Sequence, residues 1–310
     1  MHIERFMKNK IFALLVFAPD PFIALYFKRL YEANFKDEIN GLLVQVNGAR
    51  PEIVDFIADL YKDEFVVKHY DHSNQGIGFD ELYKKFTGDI LMTLCSDNFI
   101  YKKGVVTKFA SMIGEYDVIG SKGLHASPTM MADKIAQRIG FCRINPFMSF
   151  WNAKKLREIE PFTFQKVGME KGSILKALNM LYEGEGRLDV MTDMSIKFMS
   201  RDNKAFIYGA DNPPDWIHAS GLSSGVYGHL MHPDGKNLAG IDKDFSESKL
   251  SKEFLAWLYH CYEMTVKDCS LKKFNKAYLQ AIRNKCHIMG YDFKDIEGIS
   301  NAKKVEFGLW

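Results

Sequence analysis

The sequence has no C-x-x-C pair. Its cysteines, Cys95, Cys142, Cys261, Cys269 and Cys286, are scattered and odd in number. That argues against a zinc ribbon or a disulfide framework and fits a reducing cytoplasm. Long apolar runs are also missing. The segment 11–18 has only eight apolar residues, against the roughly 18 that a membrane span needs. It follows Arg5, Lys8 and Lys10 and so has the outline of a signal peptide. It ends at Pro19-Asp20-Pro21, however, with no small-x-small cleavage site, and a buried first strand is the better reading. Charge of one sign is not in excess, because the formal net charge is +2. Bulk electrostatics therefore announce no nucleic-acid or membrane partner, although a local basic patch stays open. Internal repeats and low-complexity tracts are absent.

What is present is ordinary globular composition, 47% hydrophobic and 26% charged, in 310 residues. That length buries a sizeable core and suits one large α/β domain, alone or with an appendage. Apolar runs at 11–18, 41–47, 64–69 and 89–95 read as strands, and 117–120 as a shorter one. Helix-period segments lie between them. Asp20 can cap a helix that has Pro21 in its first turn. Pro51 opens a helix with Ile53, Phe56, Ile57 and Leu60 on its apolar face. Residues 74–78 read as a turn, followed by a helix over about 79–86. This alternation predicts right-handed βαβ units and a mostly parallel sheet. Ligands of such sheets sit outside the strands' carboxyl ends, which makes the exits at 18–20, 47–50, 71–78 and 95–98 the informative places.

The fourth exit is the most informative. Gly76 and Gly78 let backbone approach a ligand closely. An apolar strand then delivers the carboxylate of Asp97. A carboxylate there can hold Mg²⁺ or Mn²⁺, hard cations that take oxygen ligands and bridge to phosphate. On residue types alone, the same stretch also reads as a strand followed by a common Asp-Asn turn.

The order of these pieces resembles family 2 glycosyltransferases of the GT-A fold. Asn74-Gln75-Gly76-Ile77-Gly78 stands for N-x-G-x-G, and Gly88-Asp89 followed by Cys95-Ser96-Asp97 stands for G-D-[apolar]-D-x-D. Asp193, in Asp189-Val190-Met191-Thr192-Asp193, matches the Asp of the E-D-x-x-L-S-x-R segment. Asp215-Trp216-Ile217-His218 resembles the late H-x-x-G segment. The resemblance covers roughly residues 10–225. It implies a Rossmann-like, mostly parallel sheet flanked by helices, over 1–245, with a helical extension over 246–310. It further implies a nucleotide-sugar donor, a UDP-sugar first, and a Mn²⁺ or Mg²⁺ ion on Asp97 and His218. Pro19, Asp20, Asn47, Asn74, Gly76, Ser96, Asp97 and Trp216 would contact the donor, and Asp193 would be the general base of an inverting transfer.

Three positions depart from the pattern. Cys95 replaces the first Asp of D-x-D, and a thiol is a poor ligand for a hard cation. Thr192 replaces a Glu. Asn47 stands where an Asp often recognises uracil, which leaves donor-base preference open. A zinc site of His218, His229, His232 and Asp234 is a weaker reading. The small-residue loop at 220–228 could close over a bound diphosphate or be a plain surface loop.

Two other functions stay in view. A nucleotidyltransferase would share the sheet, but usually has a Gly-rich, basic loop after strand one, where this chain has Ala18-Pro19-Asp20-Pro21. A catalytically silent sugar-nucleotide-binding protein would accommodate Cys95 and Thr192. The acceptor is a glycan or lipid-linked saccharide by resemblance, with a protein or a modified nucleic-acid base as alternatives. The extension has eleven Lys/Arg against eight Asp/Glu and could shape the acceptor site, mediate homodimerisation or cover the sheet.

Overall fold

The computed structural model describes residues 9–17, 20–48, 50–70, 75–123, 134–135, 137, 143–165, 167–169, 174–175, 180–181, 186–188, 191–208, 216–219 and 251–306. A seven-stranded sheet organises them. Its strands are β1 (Ile11–Phe17), β2 (Gly41–Asn47), β3 (Phe65–His69), β4 (Ile90–Cys95), then Val118–Gly120, Ser149–Asn152 and Ala205–Ile207. Counting β5 (Asn98–Ile100), these last three are β6, β9 and β14, with β7 (Lys122–Gly123) and β8 (Arg143–Ile144) between them. Two short pairs, β10 (Val167–Met169) with β13 (Gly186–Leu188) and β11 (Ile174–Leu175) with β12 (Met180–Leu181), precede β14. β15 (Trp216–His218) follows it.

The sheet order is β14-β6-β9-β4-β1-β2-β3. Pairs β1–β2, β2–β3, β1–β4 and β6–β14 are parallel, and β9 runs antiparallel to both its neighbours. This is the Rossmann-like, mostly parallel architecture that the resemblance implies. β1 shows why its sequence is an unbroken apolar run. Ala13, Leu15 and Phe17 enter one core and Leu14 and Val16 the other, on opposite faces, as the two-residue period of a strand requires.

The helices are α1 (Pro21–Asn34), α2 (Pro51–Leu60), α3 (Gln75–Tyr83), α4 (Val105–Ala110), α5 (Ala153–Arg157), α6 (Thr192–Met199), α7 (Lys252–Thr265), α8 (Lys272–Ile288) and α9 (Phe293–Glu306). α1 begins as predicted, with Asp20 capping it and Pro21 in its first turn. One expectation needs correction. Residues 75–78 do not form a turn before a helix at 79. α3 starts at Gln75, and Gly76 and Gly78 lie within it. A Cβ on Gly76 would sit 2.5 Å from Phe164 O and Gln165 Cα, and one on Gly78 2.6 Å from Gln45 Oε1. The two glycines bring the helix against the sheet and the 164–165 segment.

The C-terminal helices share the core of the first face. Leu255, Leu258, Cys261, Tyr278 and Ile282 pack into it with α1 and α2 side chains. Ser251 caps α7 through the Phe254 amide at 3.1 Å. Tyr26 Oη lies 3.0 Å from His260 Nε2, and Arg29 pairs with Asp268 at 2.9 Å, fastening α7 and its exit to α1. Among the described residues, no helix is long and apolar enough to cross a membrane.

Candidate functional site

After β1 the chain builds β2 and β3 on one side, then returns to place β4 on the other. The carboxyl ends of β1 and β4 therefore flank a topological switch point, the usual crevice of such sheets. β4 ends at Cys95. Ser96 and Asp97 turn the chain into β5, and the four residues 95–98 are at most 1% exposed. β5 pairs antiparallel with β15, with His218 opposite Asn98. The Ala219 amide donates to the Asp97 carbonyl at 2.9 Å. The tertiary structure thus seats the backbone of His218 beside the Asp97 turn.

That turn is rich in buried oxygen. Ser96 Oγ and Asn98 Oδ1 have no hydrogen-bond partner among the described residues. Leaving such a group unsatisfied costs roughly 1–3 kcal/mol, and a ligand supplying the missing partner removes that cost. Hydroxyl, carboxylate and amide oxygens are the donor chemistry that Mg²⁺ and Mn²⁺ accept, so the residues present fit such an ion. Among the described residues, no group of three or more His, Cys, Asp or Glu side chains could hold a metal. An ion here would draw further ligands from substrate and water.

Cys95 is fully buried, and Gln75 Nε2 donates to its Sγ at 2.7 Å. Burial, and then the charge of Asp97, push the thiol well above its ordinary pKa, against the opposing pull of Gln75 and Arg143. It is a neutral thiol at physiological pH.

Arg143 forms another part of this wall. It sits on β8, is 6% exposed and acts electrostatically on Cys95. Its Nη2 donates to Asn145 Oδ1 at 3.0 Å, and Asn145 Nδ2 donates to Ser121 Oγ at 3.2 Å. Ser121 also hydrogen-bonds Tyr208, whose hydroxyl donates to the Met148 carbonyl. Trp216 is half-buried and sets its ring edge-on to Tyr208, centroids 5.2 Å apart. Arg143, Asn145 and Tyr208 belong to no sequence motif. Their place in the site follows from strand pairing, and only an unusual buried arginine could have hinted at it.

The other sequence-predicted residues are distributed as follows. Asn47 ends β2, is 6% exposed and accepts from Gln45 Nε2 at 2.8 Å. Asp20 is fully buried. Its Oδ1 accepts the Phe22 and Ile23 amides at 2.9 and 3.0 Å, and its Oδ2 accepts the Tyr278 hydroxyl at 2.8 Å. Burial raises its pKa to about 6 against the lowering effect of these three hydrogen bonds. Both oxygens are thus engaged by α1 and α8.

Asp193, in the first turn of α6, accepts the Thr163 amide at 3.0 Å and pairs with Lys197 at 3.0 Å. Ser195 Oγ lies 3.4 Å from the Ile144 amide. Two positions along a helix differ by about 200°, so Asp193 faces the 163 segment while Ser195 faces the Arg143 strand. Gly76 packs against Phe164 and Gln165. Pro19, Asn74, the 220–228 loop, His229, His232 and Asp234 lie outside the described residues.

No family model matches the chain, and no curated protein sequence does. Solved structures do show similarity. The mannosyltransferase PcManGT from Pyrobaculum calidifontis, in complex with GDP-Man and Mn²⁺, is 11% identical with a TM-score of 0.43, over 93% of this chain and 80% of that one. Glucosyl-3-phosphoglycerate synthase from Mycobacterium tuberculosis, in complex with Mn²⁺ and uridine-diphosphate-glucose, is 11% identical with a TM-score of 0.38. That match covers 53% of this chain and 62% of the synthase. The bifunctional IspDF from Campylobacter jejuni is 9% identical with a TM-score of 0.37, over 66% of this chain and 50% of that one. Likenesses at such identities and scores say nothing of this chain's activity.

Proposed function

We propose that this chain is a glycosyltransferase that moves a sugar from a nucleoside diphosphate, UDP being the first to try, to an acceptor hydroxyl with help from a divalent cation. The observation that carries this reading is the buried, oxygen-rich turn of Ser96, Asp97 and Asn98 at the sheet's switch point, with β15 and His218 beside it. Asp97 and His218 would hold Mn²⁺ or Mg²⁺. Such an ion neutralises the charge that a departing diphosphate acquires. Arg143, whose guanidinium suits phosphate oxygens, would orient the diphosphate. Asn47 at the end of β2 would meet the base, and Trp216 the sugar side. Asp193 is the base we assign for the acceptor hydroxyl, and a single displacement from the opposite side inverts the anomeric centre. A glycan or lipid-linked saccharide is the proposed acceptor.

The test is calorimetry of UDP with Mn²⁺, followed by turnover of a nucleotide-sugar panel with and without acceptors. Asp97→Ala should abolish Mn²⁺-dependent UDP binding while the fold persists, and Arg143→Gln should weaken UDP binding. Unchanged affinity in Asp97→Ala would remove the cation assignment. Binding without transfer of any sugar would point instead to a silent sugar-nucleotide-binding protein. Nucleotidyl transfer from a nucleoside triphosphate to a sugar phosphate would identify the rival enzyme class.

A further inference from the structure

The seventeen residues of α8 contain five Lys/Arg and no Asp or Glu. Four of the five lie on one side, and Lys285, half-buried, points the other way. Phe274, Tyr278, Ala281, Ile282 and Cys286 are buried in the shared core. Lys272, Lys273, Lys276, Arg283 and His287 are exposed. At 3.6 residues per turn, these five fall within an arc of about 100°, with only Gln280 among them. Over about 25 Å of helix, the outward face is a row of four Lys and Arg side chains with His287 near its end. Lys273 lies over the Phe274 ring and Arg283 over the Phe293 ring, 4.8 and 5.0 Å from the centroids. These contacts hold the Lys273 ammonium and the Arg283 guanidinium against ring faces at the surface, where both side chains stay exposed. The nearby helix α2, whose Phe56 meets Phe274, carries Glu52, Asp55 and Asp59, and Arg50 and Lys68 engage the first two.

We propose that this face of α8 docks the protein on an anionic membrane surface. Three features select that partner. A linear row on a rigid helix presents all its charges to a plane at once, and each Lys or Arg near an anionic leaflet strengthens binding about fivefold. Ile288, in the last turn of α8 and to one side of the row, is 62% exposed. A large apolar side chain beside cations gains from the headgroup boundary of a bilayer, whereas a phosphodiester backbone offers it nothing. A second copy of the chain is disfavoured on this face, because two like-charged rows repel. The inference is independent of the proposed glycosyl transfer, since it rests on α8 alone.

The experiment is co-sedimentation of the full chain with vesicles, without nucleotide or sugar. Phosphatidylcholine vesicles with about 30% phosphatidylserine should pellet the protein at low salt, and binding should fall steeply as salt screens the row. Pure phosphatidylcholine vesicles should not pellet it. The triple variant Lys272→Gln/Lys276→Gln/Arg283→Gln replaces only exposed side chains. It should keep the circular dichroism spectrum and lose on the order of a hundredfold in partitioning. Ile288→Ser should weaken the residual, salt-resistant part. No binding to the anionic vesicles overturns the proposal. So does equal binding to neutral vesicles, wild-type partitioning by the triple variant, or binding to duplex DNA or RNA in preference to the vesicles.

Discussion

The hydroxyl of Tyr278, in α8, donates to Oδ2 of Asp20 at 2.8 Å, joining residues 258 positions apart in a fully buried contact. The other oxygen of Asp20 caps α1. One carboxyl group thus fixes the first helix at the exit of β1 and ties the C-terminal helices to it.

This contact predicts a pH dependence. The Asp20 pKa rises from 3.8 to about 6 on folding, mainly through burial. Between those values the folded state holds a proton that the unfolded state has released. Its stabilising contribution is therefore full below about pH 4 and declines as pH rises through 6, by about 3 kcal/mol. His260 acts in the opposite sense. Burial, and then Lys304 and Lys303, lower its pKa to about 4, so its contribution is lost as pH falls below 6.5 toward 4. Comparing wild type with Asp20→Asn, which can still cap α1, cancels His260. Denaturant melts should show wild type losing about 2–3 kcal/mol relative to Asp20→Asn between pH 4 and pH 7. A difference that does not change with pH would show that Asp20 is ionised without penalty.

Asp193→Asn separates two roles. As general base, Asp193 loses its proton acceptor, and transfer should fall by roughly 10²–10⁴ with UDP affinity retained. As an anchor only, it loses a half-exposed ion pair with Lys197 and keeps an acceptor for the Thr163 amide. The cost is then below about 1 kcal/mol of stability and turnover is near normal. Steady-state kinetics beside a thermal melt decides between them. Near-normal turnover removes Asp193 as the base.

Gly76→Ala tests the packing reading of α3. The new methyl would meet backbone atoms of Phe164 and Gln165 at 2.5 Å. Backbone cannot rotate aside as a flexible side chain can, so about 1–3 kcal/mol of stability should be lost. A chemical-denaturation midpoint equal to wild type would contradict this close approach.

Cys95→Ser should leave most activity, because the neutral, buried thiol does not suit a hard cation. Thiol-specific reagents should react with exposed Cys269 well before Cys95 in the folded protein. A loss of more than about a hundredfold in transfer, roughly 2.7 kcal/mol in barrier, would mean that the thiol has a direct part in the reaction.

Local pattern in the sequence determined much of the framework. β2 spans residues 41–47 as its apolar run predicts, and α1 and α2 begin at Pro21 and Pro51, the first behind its Asp20 cap. Such features depend on a few neighbouring residues and on whether their side chains alternate or repeat every turn. Position at a strand exit likewise marked Asp97. What the tertiary structure decided is which distant groups meet. The order of strands sets β15 against β5, and so His218 beside Asn98, and brings Arg143 near Cys95. Asp20 and Asp193 are both acidic residues near a helix start in sequence, but their partners, Tyr278 and Thr163, come from remote segments. The glycines of α3 read locally as a ligand-binding turn, and it is the backbone at 164–165 beside Gly76 and the sheet side chains Gln45 and Val16 beside Gly78 that show why they are small. Contacts of this kind depend on how the crossovers route the chain over the sheet, and no short window of sequence contains that information.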